Sequence, residues 1–256
     1  MCLVLFAVAP HPAVPLVVLA NRDELHRRPS ALAARWADAP HVFAGRDLEK
    51  GGTWLGVGRG GRFGAVTNVR HPSARKEGRS RGALVADFLR GDAPARAFAE
   101  AIDRPAFPAF NLLLADEEGV FYTNELGELR ALAPGIHGLS NARLDDPWPK
   151  VERGKAALAR GLGALPGPLD DAAAFAALSA RAFAPDPSLP STGVDIALER
   201  ALSPAFVELP GYGTRSQTRL VLRRDGGGAR ADFAERAFGE GGAPIGEVDE
   251  RVDLGA

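Results

Sequence analysis

Two short runs near the start of the chain, Cys2 to Val8 and Val14 to Ala20, are apolar throughout. A strand with one wet face alternates apolar and polar residues. A run without alternation is covered on both sides. Pro10-His11-Pro12 lies between the two runs and reads as a turn. The chain therefore begins with a hairpin that needs protein on both faces, which two stacked sheets with helices outside would supply. If the hairpin is centred on His11, residues i and 22 − i face each other and Cys2 lies opposite Ala20. The polar segment Asn21-Arg22-Asp23-Glu24 then emerges within roughly 5–10 Å of Cys2.

A second hairpin joins Thr53–Val57 to Phe63–Thr67 through Arg59-Gly60-Gly61, with Asn68 just past it. Helical patterns cover Arg81–Arg90, Ala93–Ile102, Val151–Arg160, Ala172–Arg181 and Gly193–Ala201. Strand-like runs cover Phe110–Ala115, Val120–Asn124, Leu129–Leu132, Thr218–Arg223 and Arg230–Arg236. Strands come first, helices in the middle, and strands return. That order lacks βαβ alternation and predicts an α+β fold with mainly antiparallel sheets. The 256 residues show no repeat and no boundary, so one domain over 1–256 is expected.

Composition removes several classes of function. With 46% apolar and 25% charged residues, the chain is not disordered. Thirty-one basic against 32 acidic residues leave a net charge of −1, which argues against a nucleic-acid partner. Cys2 is the one cysteine, so neither an internal disulfide nor a four-cysteine zinc site is available. The five histidines are scattered, and no metal is expected. Gly56 to Gly61 matches GxGxxG, but an apolar strand follows where a dinucleotide site needs a helix, so it reads as a hairpin loop. Met1 to Ala20 has no early Lys or Arg and is broken by Pro10, Pro12 and Pro15. No signal peptide or membrane segment is expected, and the lone thiol points to the cytoplasm.

Cys2 carries the chemistry. Methionine is removed when the next residue is small, and Cys2 would then offer a thiol and a free α-amine. The amine ordinarily titrates at about 7.7–8.0 and the thiol at about 8.5, so the amine can take the thiol proton near neutral pH. The plain alternative is a small hydrophobe heading a core strand. The charged knot Asn21–Glu24 bears on that choice: a carboxylate there can hold the amine, and Arg22 can hold the carboxylate or a substrate anion.

The segments MCLVLFAV, LVVLANRDEL, RPS, GRDLEKGGTWLGVGRGGRFGAVTNVR, HGLSNARLDDPWPKV and YGTRSQTRLVL occur in that order over essentially the whole chain. In them the sequence resembles the NRDE family, also called the Transport and Golgi organisation 2 family. That family is similar to N-terminal nucleophile hydrolases of the choloylglycine-hydrolase and penicillin-acylase type. The resemblance implies a four-layer αββα sandwich. It implies Cys2 as nucleophile, Asp23 as the carboxylate orienting amine and thiol, Asn68 and Asn141 as oxyanion-stabilising or amine-holding amides, and Arg215 as a late arginine near the site. In the bile-salt enzymes the early Arg precedes the Asn-x-Asp segment, whereas here Arg22 lies between Asn21 and Asp23. Neighbours on a strand point to opposite faces, so Arg22 and Asp23 are expected on different sides.

Asn21, Arg22, Trp54 and His71 are the candidate substrate-binding residues. A Trp on a hairpin is more often core than ligand wall, and a lone loop histidine such as His71 is usually just exposed. Arg75, Lys76, Arg79 and Arg81 form a basic cluster, either a solvated loop or an attraction for an anionic ligand such as an acyl-CoA or a propionate-bearing tetrapyrrole. The leading reading is a cysteine hydrolase or acyltransferase acting on a non-peptide amide or acyl (thio)ester, with no cofactor. Its rival on the same fold is a haem or acyl-CoA/lipid carrier without turnover, in which haem would be a ligand.

Overall fold

The computed structural model describes residues 2–255. Whether Met1 is removed concerns a residue outside those described. The strands are β1 (Cys2–His11), β2 (Val14–Leu25), β3 (Ser30–Trp36), β4 (Ala39–Asp47), β5 (Leu55–Gly58), β6 (Arg62–Asn68), β7 (Phe110–Asp116), β8 (Gly119–Asn124), β9 (Leu129–Ala131), β10 (Gly135–Leu139), β11 (Glu208–Leu209), β12 (Tyr212–Asp225), β13 (Gly228–Phe238) and β14 (Pro244–Gly255). The helices are α1 (Arg81–Arg90), α2 (Ala95–Ala101), α3 (Pro149–Gly161), α4 (Asp171–Leu178) and α5 (Ile196–Ala201). One antiparallel sheet runs β10-β1-β2-β12-β13-β14, with β11 beside β12, and the other runs from β3 to β9 in chain order.

The first hairpin sets the layering. Even-numbered Val4, Phe6 and Val8 turn inward and pack with Val18, Phe43, Val57 and Phe63 between the two sheets. Odd-numbered Leu3, Leu5 and Ala7 turn outward onto Val151 and Leu158 of α3 and Phe175 of α4. On the far side, Val85, Phe88 and Leu89 of α1 cover Val42, Val66 and Leu112 of the second sheet. The result is the expected four-layer αββα sandwich.

The hairpin register differs from the expectation. Cys2 faces Arg22, not Ala20. A bulge between Val8 and His11, with Ala9 at φ 48°, lengthens the turn and moves its centre by one residue. Asn21–Glu24 is therefore not a loop leaving the strand but part of β2, which continues to Leu25. The GxGxxG segment is a tight turn as read, with Gly60 at φ 64° and Gly61 at φ 78°.

Strands β3, β4 and β14 carry no clear signal. β3 is Ala-rich and broken by register shifts, and β14 is a charged, exposed edge strand.

Close backbone approach places α1. A Cβ on Gly64 would lie 3.0 Å from Val85 Cγ1, and one on Gly52 would lie 2.5 Å from the Gly82 carbonyl carbon. With Thr53 N–H donating to Gly82 O at 3.1 Å, this contact brings the first turn of α1 to the end of the sheets.

One inter-sheet carboxylate is out of keeping with that core. Glu235 on β13 is buried, accepting from Ala33 N–H at 2.9 Å and from Thr218 Oγ1 at 3.4 Å. Burial pushes its pKa up to about 7 from an ordinary 4.5. The folded state thus holds a proton that the unfolded state has lost between those values. Stability from this group is complete below pH 4.5 and is lost as pH rises through 7. Glu235→Gln should remove that loss, gaining on the order of 3 kcal/mol relative to the parent above pH 7 and nothing at pH 4. Urea unfolding at the two pH values checks it; an equal difference at both would refute it.

Candidate functional site

A cleft of about 650 Å³ opens where β1 and β2 end, between the two sheets and the first turn of α1. Cys2, Arg22, Asp23, Trp54, Asn68 and Arg81 all line it. Cys2 is half-buried there. Burial pushes its thiol pKa up, the Asp23 carboxylate pushes the same way, and the Arg22 guanidinium and the Asp23 backbone N–H, which hydrogen-bonds to the sulfur, pull it back. A thiol so placed stays protonated until a base takes its proton.

Arg22 and Asp23 take opposite faces of β2, as strand alternation requires. Arg22 lies on the inter-sheet side, its guanidinium 4.2 Å above the Trp54 ring. Asp23 lies on the helix side, where its Oδ1 accepts from Thr214 Oγ1 at 2.7 Å and the Tyr212 hydroxyl donates to its backbone oxygen at 3.2 Å. Because the cleft is at the strand ends, both residues still reach it. Burial raises the Asp23 carboxyl pKa, opposed by Lys150, the Thr214 hydrogen bond and Arg70.

The two asparagines meet. Asn141 Nδ2 donates to both the Oδ1 and the backbone oxygen of Asn68, each at 3.0 Å. Ser140, next to Asn141, donates from Oγ to Cys2 O at 3.0 Å, and Thr67 Oγ1 donates to Ser140 O at 2.8 Å. This lattice ties β6 and β10 to the head of β1. It also turns the oxygen of the Asn68 amide toward Asn141, and Asn68 itself lines the cleft.

The remaining candidates stand elsewhere. Asn21 donates through Nδ2 to Leu178 O at 2.8 Å and Ala205 O at 2.7 Å, fastening β2 to the helical layer. Arg215 is the extra residue of a bulge in β12, where Thr214 pairs with Asp23 and Ser216 with Arg22. The bulge turns its guanidinium away to the carbonyls of Leu25, His26, Arg28 and Phe238. His71 is exposed and bonded to Ser73, and it lines a different cavity of about 1240 Å³ together with Arg70 and Asn141. That cavity is larger, and no cysteine lines it.

Sequence reasoning missed a buried set of charges under Asp23. Lys150 is 4% exposed, donates from Nζ to Leu202 O at 3.1 Å, and has its pKa pushed down to about 8 by burial against the pull of Asp23. Arg70 Nη1 pairs with Glu199 Oε2 at 3.1 Å, and its guanidinium stacks on Trp148 at 4.5 Å. Lys150 and Trp148 lie in the PWPKV segment. The available signal was a lysine four residues before Gly154, on the helix face that packs against Leu5. Among the described residues no group of three or more His, Cys, Asp or Glu side chains is placed to hold a metal ion. None of the described helices is long and apolar enough to cross a membrane.

Layers and cleft together define an αββα protein whose leading cysteine opens into a polar cleft beside a buried aspartate and a paired amide. The profile of the Transport and Golgi organisation 2 family matches residues 1–240, and the chain belongs to that family. It is 35% identical to the Transport and Golgi organization protein 2 homolog of Bos taurus and 33% identical to that of Homo sapiens, each over 93% of both chains. A solved structure, the Caenorhabditis elegans N-acylethanolamine-hydrolyzing acid amidase ortholog, superposes with a TM-score of 0.46 at 12% identity, covering 79% of this chain and 98% of that one.

Proposed function

We propose that the chain is a cysteine acyl hydrolase or acyltransferase whose nucleophile is Cys2 freed at its own amine. The observation that carries this reading is that Cys2, Asp23 and Asn68 all line one cleft, with the Asn68 amide held from behind by Asn141. The α-amine takes the thiol proton, and the sulfur adds to the carbonyl of a non-peptide amide or (thio)ester. Asn68 Nδ2 donates to the developing oxyanion while Asn141 holds that amide in place. The carbon–heteroatom bond breaks, the ammonium returns its proton to the leaving group, and a thioester remains on Cys2. Water or a second nucleophile then attacks the thioester, with the amine again accepting the proton and passing it to the sulfur. Asp23 holds the amine as ammonium-compatible partner. The chemistry needs no metal, and a cytoplasmic setting would keep the single thiol reduced.

Incubation with a panel of activated esters, thioesters and amides tests the reading. Intact mass should show an acyl adduct on a chain that begins at Cys2. No adduct and no turnover on any member would reject it. Under that outcome the cleft would be a carrier site for haem or acyl-CoA, a reading favoured by its cationic residues and compatible with the relatives' names. Asn68→Ala should lower kcat about 10²–10³-fold with KM little changed, and Asn141→Ala should follow it because it frees the same amide. A raised KM at constant kcat would move both residues from oxyanion support to ground-state binding.

A further inference from the structure

The cleft around Cys2 carries more positive charge than its own carboxylates reach. Arg22 faces Cys2 directly across the β1–β2 ladder and is 6% exposed. Its nearest carboxylate oxygen, Glu24 Oε2, is 3.8 Å from Nη2, and Nη1 is buried without a hydrogen-bond partner. A buried charged donor left without an acceptor is costly, so its persistence points to an absent partner. The Trp54 ring under the guanidinium supplies a cation–π contact but no hydrogen-bond acceptor.

Arg81 comes from the opposite layer. It is the first residue of α1, its side-chain hydrogen bond among the described residues is a long 3.3 Å contact from Nη1 to Ala109 O, and Glu24 is the carboxylate that acts most on it. The start of α1, at Ser80, Arg81 and Gly82, opens into the same cleft and adds the positive end of a helix dipole. The carboxylates nearby are engaged: Glu235, which also acts on Arg22, accepts from Ala33 N–H at 2.9 Å and Thr218 Oγ1 at 3.4 Å. Asp47 is taken by Arg28 at 2.6 Å and by the N–H groups of Glu49 and Lys50. Glu24 is shared at 3.8 Å between Arg22 and Arg28. Asp23 lies on the other face of β2 with Thr214.

We propose that Arg22 and Arg81 form the receiving site for an acid group of the substrate, a carboxylate or phosphate close to the scissile bond, so that the cleft selects anionic acyl compounds over neutral ones. Guanidinium forks match both acids. Arg22 and Cys2 are a facing pair, which puts the acid and the carbonyl within about one residue's span, roughly 4–6 Å. The claim rests on the catalytic reading for the position of the carbonyl but not for the binding of the acid.

The test is a titration of Cys2→Ala protein, which cannot turn over. N-decanoylglycine and N-decanoylaminomethylphosphonate supply the two acids, and N-decanoylglycinamide is the neutral match. At least one acid should bind about tenfold or more tightly than the amide, and the tighter of the two names the acid. That preference should weaken as salt is raised. Arg81→Gln should remove most of it while leaving the amide's affinity within about twofold, and Arg22→Gln should do the same. Arg81 lies at a helix start beside the cleft, so its variant carries the test if Arg22→Gln does not fold. Equal binding of acids and amide, or a preference surviving Arg81→Gln with Tm unchanged, overturns the proposal. A retained preference in a protein whose parent forms no adduct would reject catalysis and keep the acid site. Turnover of the amide with no preference for either acid would do the reverse.

Discussion

Cys2→Ala is expected to lower turnover on any substrate of the wild-type protein by at least about 10³-fold, with substrate binding retained. The sulfur is the most nucleophilic of the groups lining the cleft and the one that forms the acyl intermediate in the proposed reaction. The half-buried side chain contributes little to the core, so the loss should come without a fall in Tm. Two companions make the result specific. Cys2→Ser keeps a hydroxyl nucleophile and should retain a slow fraction of activity. A variant that keeps Met1 should be as inactive as Cys2→Ala even though its thiol is intact, because the proton acceptor is then an amide. Full activity with Met1 retained would exclude the α-amine as base. Full activity in Cys2→Ala would end the nucleophile assignment.

Glu199→Ala should destabilise the fold by about 3–5 kcal/mol. Glu199 is 2% exposed and lies 3.1 Å from Arg70, whose side chain is 5% exposed. Removing the carboxylate leaves the Arg70 guanidinium buried beside the ammonium of Lys150, with only the Trp148 face and the more distant Asp23 to offset two positive charges. It also strips the acceptor from Thr192, whose N–H bonds Glu199 Oε1 at 2.9 Å. The cost arises from the charge left behind, not from the pair. Glu199→Ala combined with Arg70→Met should therefore recover most of the loss. Urea unfolding with an unchanged m-value checks both. A Glu199→Ala effect below about 1 kcal/mol would mean the pair is solvated in solution.

Parts of this site were legible because they are local. Cys2 and the Asn21–Glu24 segment belong to one hairpin, so any register near the observed one puts that segment beside the thiol. The exact pairing was not legible, because the bulge at Val8–His11 rests on a left-handed Ala9, a residue with no signature for that conformation. Asn68 and Asn141 could be named through family resemblance, but their mutual hydrogen bond joins the end of β6 to the segment just after β10, from different sheets. Arg215 shows the converse: its place in the YGTRSQ segment suggested a site residue, and a one-residue bulge sends its side chain to backbone carbonyls instead. Lys150, Arg70 and Glu199 left only the faint trace of charged residues on helix and strand positions that turn out to be buried.

Residue order alone determined that the first two strands are covered on both faces, hence that the molecule is layered, and that the lone thiol stands at the head of an inner strand. Those properties follow from apolar runs and turns within a few residues of each other. The stacking of the layers decided which distant polar groups share the thiol's cleft, as with Asn68 from β6 and Arg81 from α1. No periodicity along the chain encodes that meeting, because it depends on how closely α1 settles onto Gly52 and Gly64 of the second sheet's side of the sandwich.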